Sequence, residues 1–346
     1  MRIGLRTFAI SVVTLLASTS VSFADSCTPV DYRSQLGPNR DQGSTGWCFA
    51  YSTADLITQR SGHVISALDI GTSYYIENVS DLATRAPAAV KDYYNANAVP
   101  ALMIGDRNDA SIAGAQPVIN KVSGGQEDGA ILMANVKGLC AEADLPSDGG
   151  FSGADAKTLK SLTALATKTP SSCKNYPLSP GGVSHLDTPV ADCVNEQWLI
   201  ATNSRCRRIS YSQPLLPDTL RVAIDLPTYR SLVAAGKINA ATARAQLMAK
   251  LNATLSAGKI ASIGYNGNLM WGLNVKSING DHASPVVARR SVRGVCQYLV
   301  RDSFGTSCSI YGSKFSGPDR CESGNIWLTE DELAGTSQLY SVISLK

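Results

Sequence analysis

Cys48 stands in the run Gln42-Gly43-Ser44-Thr45-Gly46-Trp47-Cys48-Phe49-Ala50, where a turn-rich stretch gives way to a helical pattern. A cysteine in the first turn of a helix meets unpaired amides and the positive end of the helix dipole, which favour thiolate over thiol. Gln42, on the loop before it, can turn an amide donor toward a developing oxyanion. A thiolate nucleophile needs a proton carrier, and the chain has only three histidines, His63, His185 and His282. His63 follows Gly62 at the far end of the same helix. His185 lies in the Gly/Pro/Ser-rich loop 179–185. His282 opens the apolar run through Ser284-Pro285-Val286-Val287-Ala288, so a core strand would hold it rigidly.

The elements that must position these groups are legible in outline. Ala50, Ala54 and Ile57 recur on one face of a helix that begins at Trp47, and Arg60 with Gly62 marks its end. Residues 130–137 predict a short helix capped by Gly138. Residues 229–235 and 240–257 predict two more, the second with Ala243, Leu247, Leu251 and Leu255 along one face. Lys259–Tyr265 and Gln297–Arg301 predict strands, the latter leading into Asp302-Ser303-Phe304-Gly305.

Composition sets the frame around them. The 346 residues carry 31 Lys+Arg against 28 Asp+Glu, 17% charged and 44% hydrophobic, which is ordinary globular usage. A net charge of +3 gives no basis for a nucleic-acid partner. Residues 1–24 read as a secretory signal: Arg2 and Arg6, then an apolar core from Phe8 to Ala17, then Ser22-Phe23-Ala24 before the cut. The mature protein is therefore expected to be exported, periplasmic or secreted, with no membrane association once the signal is removed. All nine cysteines lie beyond that cut, so at most four bridges form and one thiol is left over. Pairing within the clusters Cys173/Cys193/Cys206 and Cys296/Cys308/Cys321 is one expectation, although spacing does not fix connectivity. None of the spacings is that of a zinc site, and neither a metal nor another cofactor is expected.

Gln42-Gly43-Ser44-x-Gly46-x-Cys48-Phe49-Ala50 resembles the active-site stretch of papain-like cysteine peptidases. Pro29-Val30-Asp31-Tyr32-Arg33 resembles that family's mature N-terminus, Ser123-Gly124-Gly125-Gln126 its Gly-Gly segment, and Cys140–Pro146 the run that follows. His282-Ala283 and Asp302-Ser303-Phe304-Gly305 resemble its His-Ala strand and its Asn-Ser-Trp-Gly motif. The resemblance implies an α+β fold of two lobes, a helical one opened by the Cys48 helix and a β-rich one carrying His282 and Asp302. It implies Cys48 as nucleophile, Gln42 and the Cys48 amide as oxyanion hole, and His282 as general base and acid. Asp302 would take the place of the orienting Asn. Gly124 and Gly125 would line the substrate cleft, and Phe304, in place of Trp, would cover the His282–Asp302 pair. The partner would be a peptide or protein substrate; the oligomeric state is not readable.

Four positions depart from the family pattern: Thr45, Phe49, Asp302 and Phe304. A full negative charge at Asp302 stabilises the imidazolium, so the alkaline limit of activity is expected to move up while the acid limit stays. The same thioester could be captured by an amine, giving acyl transfer or deamidation. A peptide-binding or inhibitory protein without catalysis on this fold is the alternative from another class. Stretches near 60–122 and 147–225 exceed the family minimum and read as insertions. With Cys48 so soon after the signal, no N-terminal inhibitory segment is expected; either the enzyme is active on export or an insertion blocks the cleft, and residues 147–225 are the segment expected to restrict access.

Overall fold

Gly62 adopts the left-handed conformation (φ 73°) and donates to the Thr58 carbonyl at 2.9 Å, closing helix α1 (Cys48–Ser61) where the sequence pattern ends it. In the computed structural model, residues 27–43, 46–76, 85–96, 125–147, 206–273 and 280–346 are described. The signal segment, Gly124, His185, Cys173, Cys193 and most of the stretch 147–225 lie outside them. Helix α1 is buried on every side from Phe49 to Thr58, not along one stripe, because it is wedged between other helices and a sheet. Two of those helices are α2 (Ala67–Ile76) and, after α3 (Ala88–Ala96), α4 (Glu127–Lys137), which ends at Gly138 as expected. Helix α2 goes beyond the expected elements, although Ser66 caps it, its hydroxyl accepting from the Asp69 amide at 3.1 Å, and Ala67, Leu68 and Ile70 are core residues.

Among the described residues the sheet has eight strands, with path β2-β8-β3-β4-β5-β7-β6 and β1 added along β4. Their ranges are β1 Val30–Asp31, β2 Pro217–Arg221, β3 Ala261–Asn266, β4 Asp281–Val292, β5 Val295–Arg301, β6 Cys321–Glu322, β7 Asn325–Thr329 and β8 Ser341–Leu345. Every pairing is antiparallel. Helices α5 (Leu226–Ala234) and α6 (Ala240–Ser256) lie between β2 and β3 in the chain. Helix α5 begins before the expected 229, capped by the Asp225 side chain, which accepts from the Thr228 amide at 2.7 Å. Pro227 falls inside its first turn, where a missing N–H breaks no helical bond. Strand β2 was not anticipated: it is a short edge strand that begins with proline and alternates weakly.

Among the described residues, alternation along the strands separates the two largest cores. Val287, Leu299 and Ile343 face α1, α2 and α4, with Phe49, Ile57 and Ile131. Their chain neighbours Val286, Val300 and Val342 face the other way, onto Leu247, Leu251 and Leu255 of α6. The fold is α+β with a helical lobe against a sheet-based one. Ile57 is fully buried in the first core, so truncating it to Ala would cost about 2–5 kcal/mol. Strand β4 carries the geometry that matters for the site. Val286 pairs with Val300, so the register sets Asp302, just past the end of β5, opposite Ser284, and its side chain reaches His282, two residues away on the same face of β4.

Three disulfides are present among the described residues: Cys27–Cys296, Cys140–Cys206 and Cys308–Cys321. Only the last falls within an expected cluster. Pairing of Val30 with Arg289 carries Cys27 to the β4–β5 hairpin, where Cys296 lies. The Leu139–Ile209 bridge sets Cys140 beside the 206–209 segment. Among the described residues no helix is long and apolar enough to cross a membrane.

Candidate active site

Cys48 is the first residue of α1, is half-buried, and is the free cysteine among the described residues. The helix delivers it to the seam where α1 meets β3 and β4. His282 comes to the same seam from β4, and Asp302 follows β5. Both are buried, and His282 Nε2 lies 2.8 Å from Asp302 Oδ1. An ionised carboxylate only accepts, so this bond assigns the proton to Nε2. Nδ1 is then the nitrogen available to the thiol, and Cys48 lies close enough to favour the protonated ring.

These neighbours decide the ionisation of His282. Burial is the largest influence and disfavours the charged ring. The opposite charges of Asp302 and Cys48, with a hydrogen bond from each, overcome it and push the imidazole up to about 10. One opposite charge about 4 Å away is worth about 4 kcal/mol at an effective dielectric of about 20, so two of them outweigh one burial penalty. Asp302 is itself held: the Ser303 amide donates to Oδ1 at 2.8 Å, and the Tyr311 hydroxyl stands 3.2 Å from Oδ2 and 2.7 Å from the Gly324 carbonyl. Burial raises the Tyr311 phenol, so it remains a proton donor.

Gln42 reaches the site by a ladder between its loop and the segment after β5. The Gln42 amide donates to Ser303 O at 2.7 Å, the Gly305 amide donates to Arg40 O at 3.0 Å, and Asp41 bridges Phe304. The Ser303 hydroxyl donates to Gln42 Oε1, which fixes the amide with its nitrogen turned away from Ser303. One short segment thus sets both the imidazole's partner and the glutamine's orientation.

Aromatic rings enclose the imidazole. Phe304 stacks on His282 with centroids 5.6 Å apart at 17°, while Trp271 and Tyr265 meet it edge-on at 5.3 and 5.8 Å. Trp271 also packs edge-on against Phe304 at 5.5 Å. This cover keeps water from competing for the His282–Asp302 bond. It also gives an indole beside the imidazole although position 304 has none.

Cys48, His282, Asp302, Gln42 and Phe304 are therefore brought together. His63 is exposed beyond the far end of α1, and His185 and Gly124 lie outside the described residues. Gly125 packs against Phe49: a Cβ on it would approach the ring to 2.6 Å. Sequence reasoning missed Trp271, Tyr265 and Tyr311. None has a local signal, because their role comes from where β3, a one-turn 3-10 segment (Gly267–Leu269) and the loop after β5 converge.

No protein-family model matches the chain, and no curated protein matches it. Among solved structures it is similar to digestive procathepsin L 3 of the Tenebrio molitor larval midgut, with 12% identity, TM-score 0.40, and 92% of this chain and 69% of that one covered. It is similar to a structure from work on the mite allergens Blo t 1 and Der p 1, with 14% identity, TM-score 0.41, and coverage of 96% and 73%. It is also similar to xylellain, a cysteine protease from Xylella fastidiosa, with 17% identity, TM-score 0.38, and coverage of 93% and 84%. The chemistry stands on the side chains themselves.

Proposed function

We propose that this chain is an exported thiol peptidase of the papain-like kind, hydrolysing peptide bonds with Cys48, His282 and Asp302. The observation that carries this is a half-buried free thiol at a helix N-terminus acting on an imidazole whose far nitrogen is bonded to a buried carboxylate. Cys48 Sγ⁻ attacks the scissile carbonyl carbon, and the carbonyl electron pair moves to oxygen, where the Cys48 amide and the Gln42 side chain stabilise it. The tetrahedral species collapses, and the His282 imidazolium gives its Nδ1 proton to the leaving amine. Neutral His282 then takes a proton from water, whose oxygen attacks the thioester. Collapse expels Sγ⁻, releases the acid and restores the ion pair. The leader-like sequence at 1–24 and three bridges among the described residues support export to an oxidising compartment.

The test is hydrolysis of fluorescein-labelled casein by the mature chain. Activity abolished in Cys48→Ala and reduced at least about 10³-fold in His282→Ala is the expected result, since these groups act as a unit. Activity retained in Cys48→Ala would remove the thiol from the mechanism.

A further inference from the structure

Asp55 lies two helical turns beyond Cys48 on the same side of α1, and its carboxylate is buried. Oδ1 accepts from Arg40 Nη2 at 2.7 Å, and Oδ2 accepts from Arg301 Nε at 2.8 Å. Both arginines are buried as well. Arg40 stands two residues before Gln42, and Arg301 stands immediately before Asp302. Each guanidinium has further anchors. Arg40 Nη1 donates to Ile65 O at 2.6 Å and to Glu142 Oε2 at 3.1 Å, and Arg301 Nη2 donates to Pro38 O at 2.6 Å. Two cations and two carboxylates thus balance inside the fold, which a buried cluster requires.

Resting on the peptidase reading above, we propose that Asp55 is the positioning residue of the site: one carboxylate that fixes the nucleophile helix, the glutamine loop and the carboxylate that follows β5 relative to one another. It touches no reacting atom. The three segments converge on it from separate parts of the chain, and each sits within two residues of a catalytic group or on its helix. Displacement of a reacting group by about 1 Å costs up to about 10²-fold in rate. Loss of the clamp frees the Arg40 loop and the end of β5 at Arg301 to shift independently of α1, so the placement of Cys48 relative to His282 loosens.

The experiment compares Asp55→Asn with wild type, using Arg301→Lys as a second variant that keeps the charge but not the Nε geometry. Folding is checked by near-ultraviolet circular dichroism. Iodoacetamide alkylation at Cys48 is followed by mass spectrometry at pH 5 and pH 9. Wild type is expected to react within about tenfold at the two pH values, as an ion-paired thiolate does. Folded Asp55→Asn is expected to lose at least about tenfold at pH 5 and under about twofold at pH 9, with Arg301→Lys between them. A purely structural carboxylate would leave that ratio unmoved, so a folded Asp55→Asn with the wild-type ratio overturns the assignment. If neither variant folds, Asp55 is a folding determinant and the assignment is withdrawn. Wild-type rates that differ by roughly 10³-fold between the two pH values, as for an ordinary thiol of pKa about 8.5, instead sink the peptidase reading itself.

Discussion

His282 Nε2 sits 2.8 Å from Asp302 Oδ1, and this bond crosses from the start of β4 to the residue just past β5. It commits one imidazole nitrogen and leaves the other for Cys48. It also sets a carboxylate, not a neutral amide, against the imidazole, which makes the pH behaviour the most revealing property of the site.

Asp302→Asn is expected to lower the alkaline limit of activity. Burial disfavours the imidazolium, while the charges and hydrogen bonds of Asp302 and Cys48 hold it to about pH 10. Removing one anion leaves burial less opposed, so the imidazolium loses its proton at lower pH. The stability sign follows from the same shift. A pKa raised above the ordinary value of about 6.5 adds stability in full below pH of about 6.5, and that stability is lost as pH rises through about 10. Rate profiles of kcat/KM and melting curves at pH 6 and pH 10 read both effects. A variant that keeps the wild-type alkaline limit contradicts the electrostatic account.

Tyr311→Phe removes the hydroxyl shared between Asp302 Oδ2 and the Gly324 carbonyl. It leaves buried acceptors without a donor and should cost about 1–3 kcal/mol of stability. Loss of kcat without a rise in KM is expected, because Asp302 gains freedom and the substrate cleft is untouched. A rise in KM alone would put Tyr311 in the cleft rather than behind the carboxylate.

Gly125→Ala distinguishes packing from substrate contact at that glycine. A Cβ would press on the Phe49 ring at 2.6 Å, and Phe49 is itself packed on Tyr74 at 4.8 Å. Overpacking of this kind costs about 1–3 kcal/mol, so the melting temperature should fall. Unchanged stability with a lowered kcat/KM would mean that the glycine serves the approach of a substrate backbone instead.

The Cys308–Cys321 bridge closes the loop that carries Tyr311. A closed loop of this length is worth about 3 kcal/mol. The double variant Cys308→Ser/Cys321→Ser should therefore lower the melting temperature and lower kcat as well. Full activity below its melting transition would separate the bridge from the site.

Much of this site was legible because its chemistry is local. A cysteine after a turn-rich run, a helix closed by Gly62 and a histidine opening an apolar strand each carry their own signal, and the fold assembles all three. What was not legible depends on contacts between distant segments. Asp55 binds Arg301 across a separation of 246 residues, and Cys27 bridges Cys296 across 269. No periodicity marks such pairs. Helix α2 and strand β2 escaped for a different reason: one has its Ser66 cap, which accepts from the Asp69 amide at 3.1 Å, but carries Gly71 in its interior, and the other is a short edge strand led by proline. Trp271 shows the same limit at the site, since a tryptophan just after the short Gly267–Leu269 turn reveals nothing of the imidazole it covers.

The most direct measurement is labelling of the disulfide-intact protein with an epoxysuccinyl thiol-peptidase inactivator, followed by mapping of the adduct by mass spectrometry. The account predicts rapid modification at Cys48 alone, lost in His282→Ala. An unmodified Cys48, or a Cys48 found in a disulfide, would contradict it.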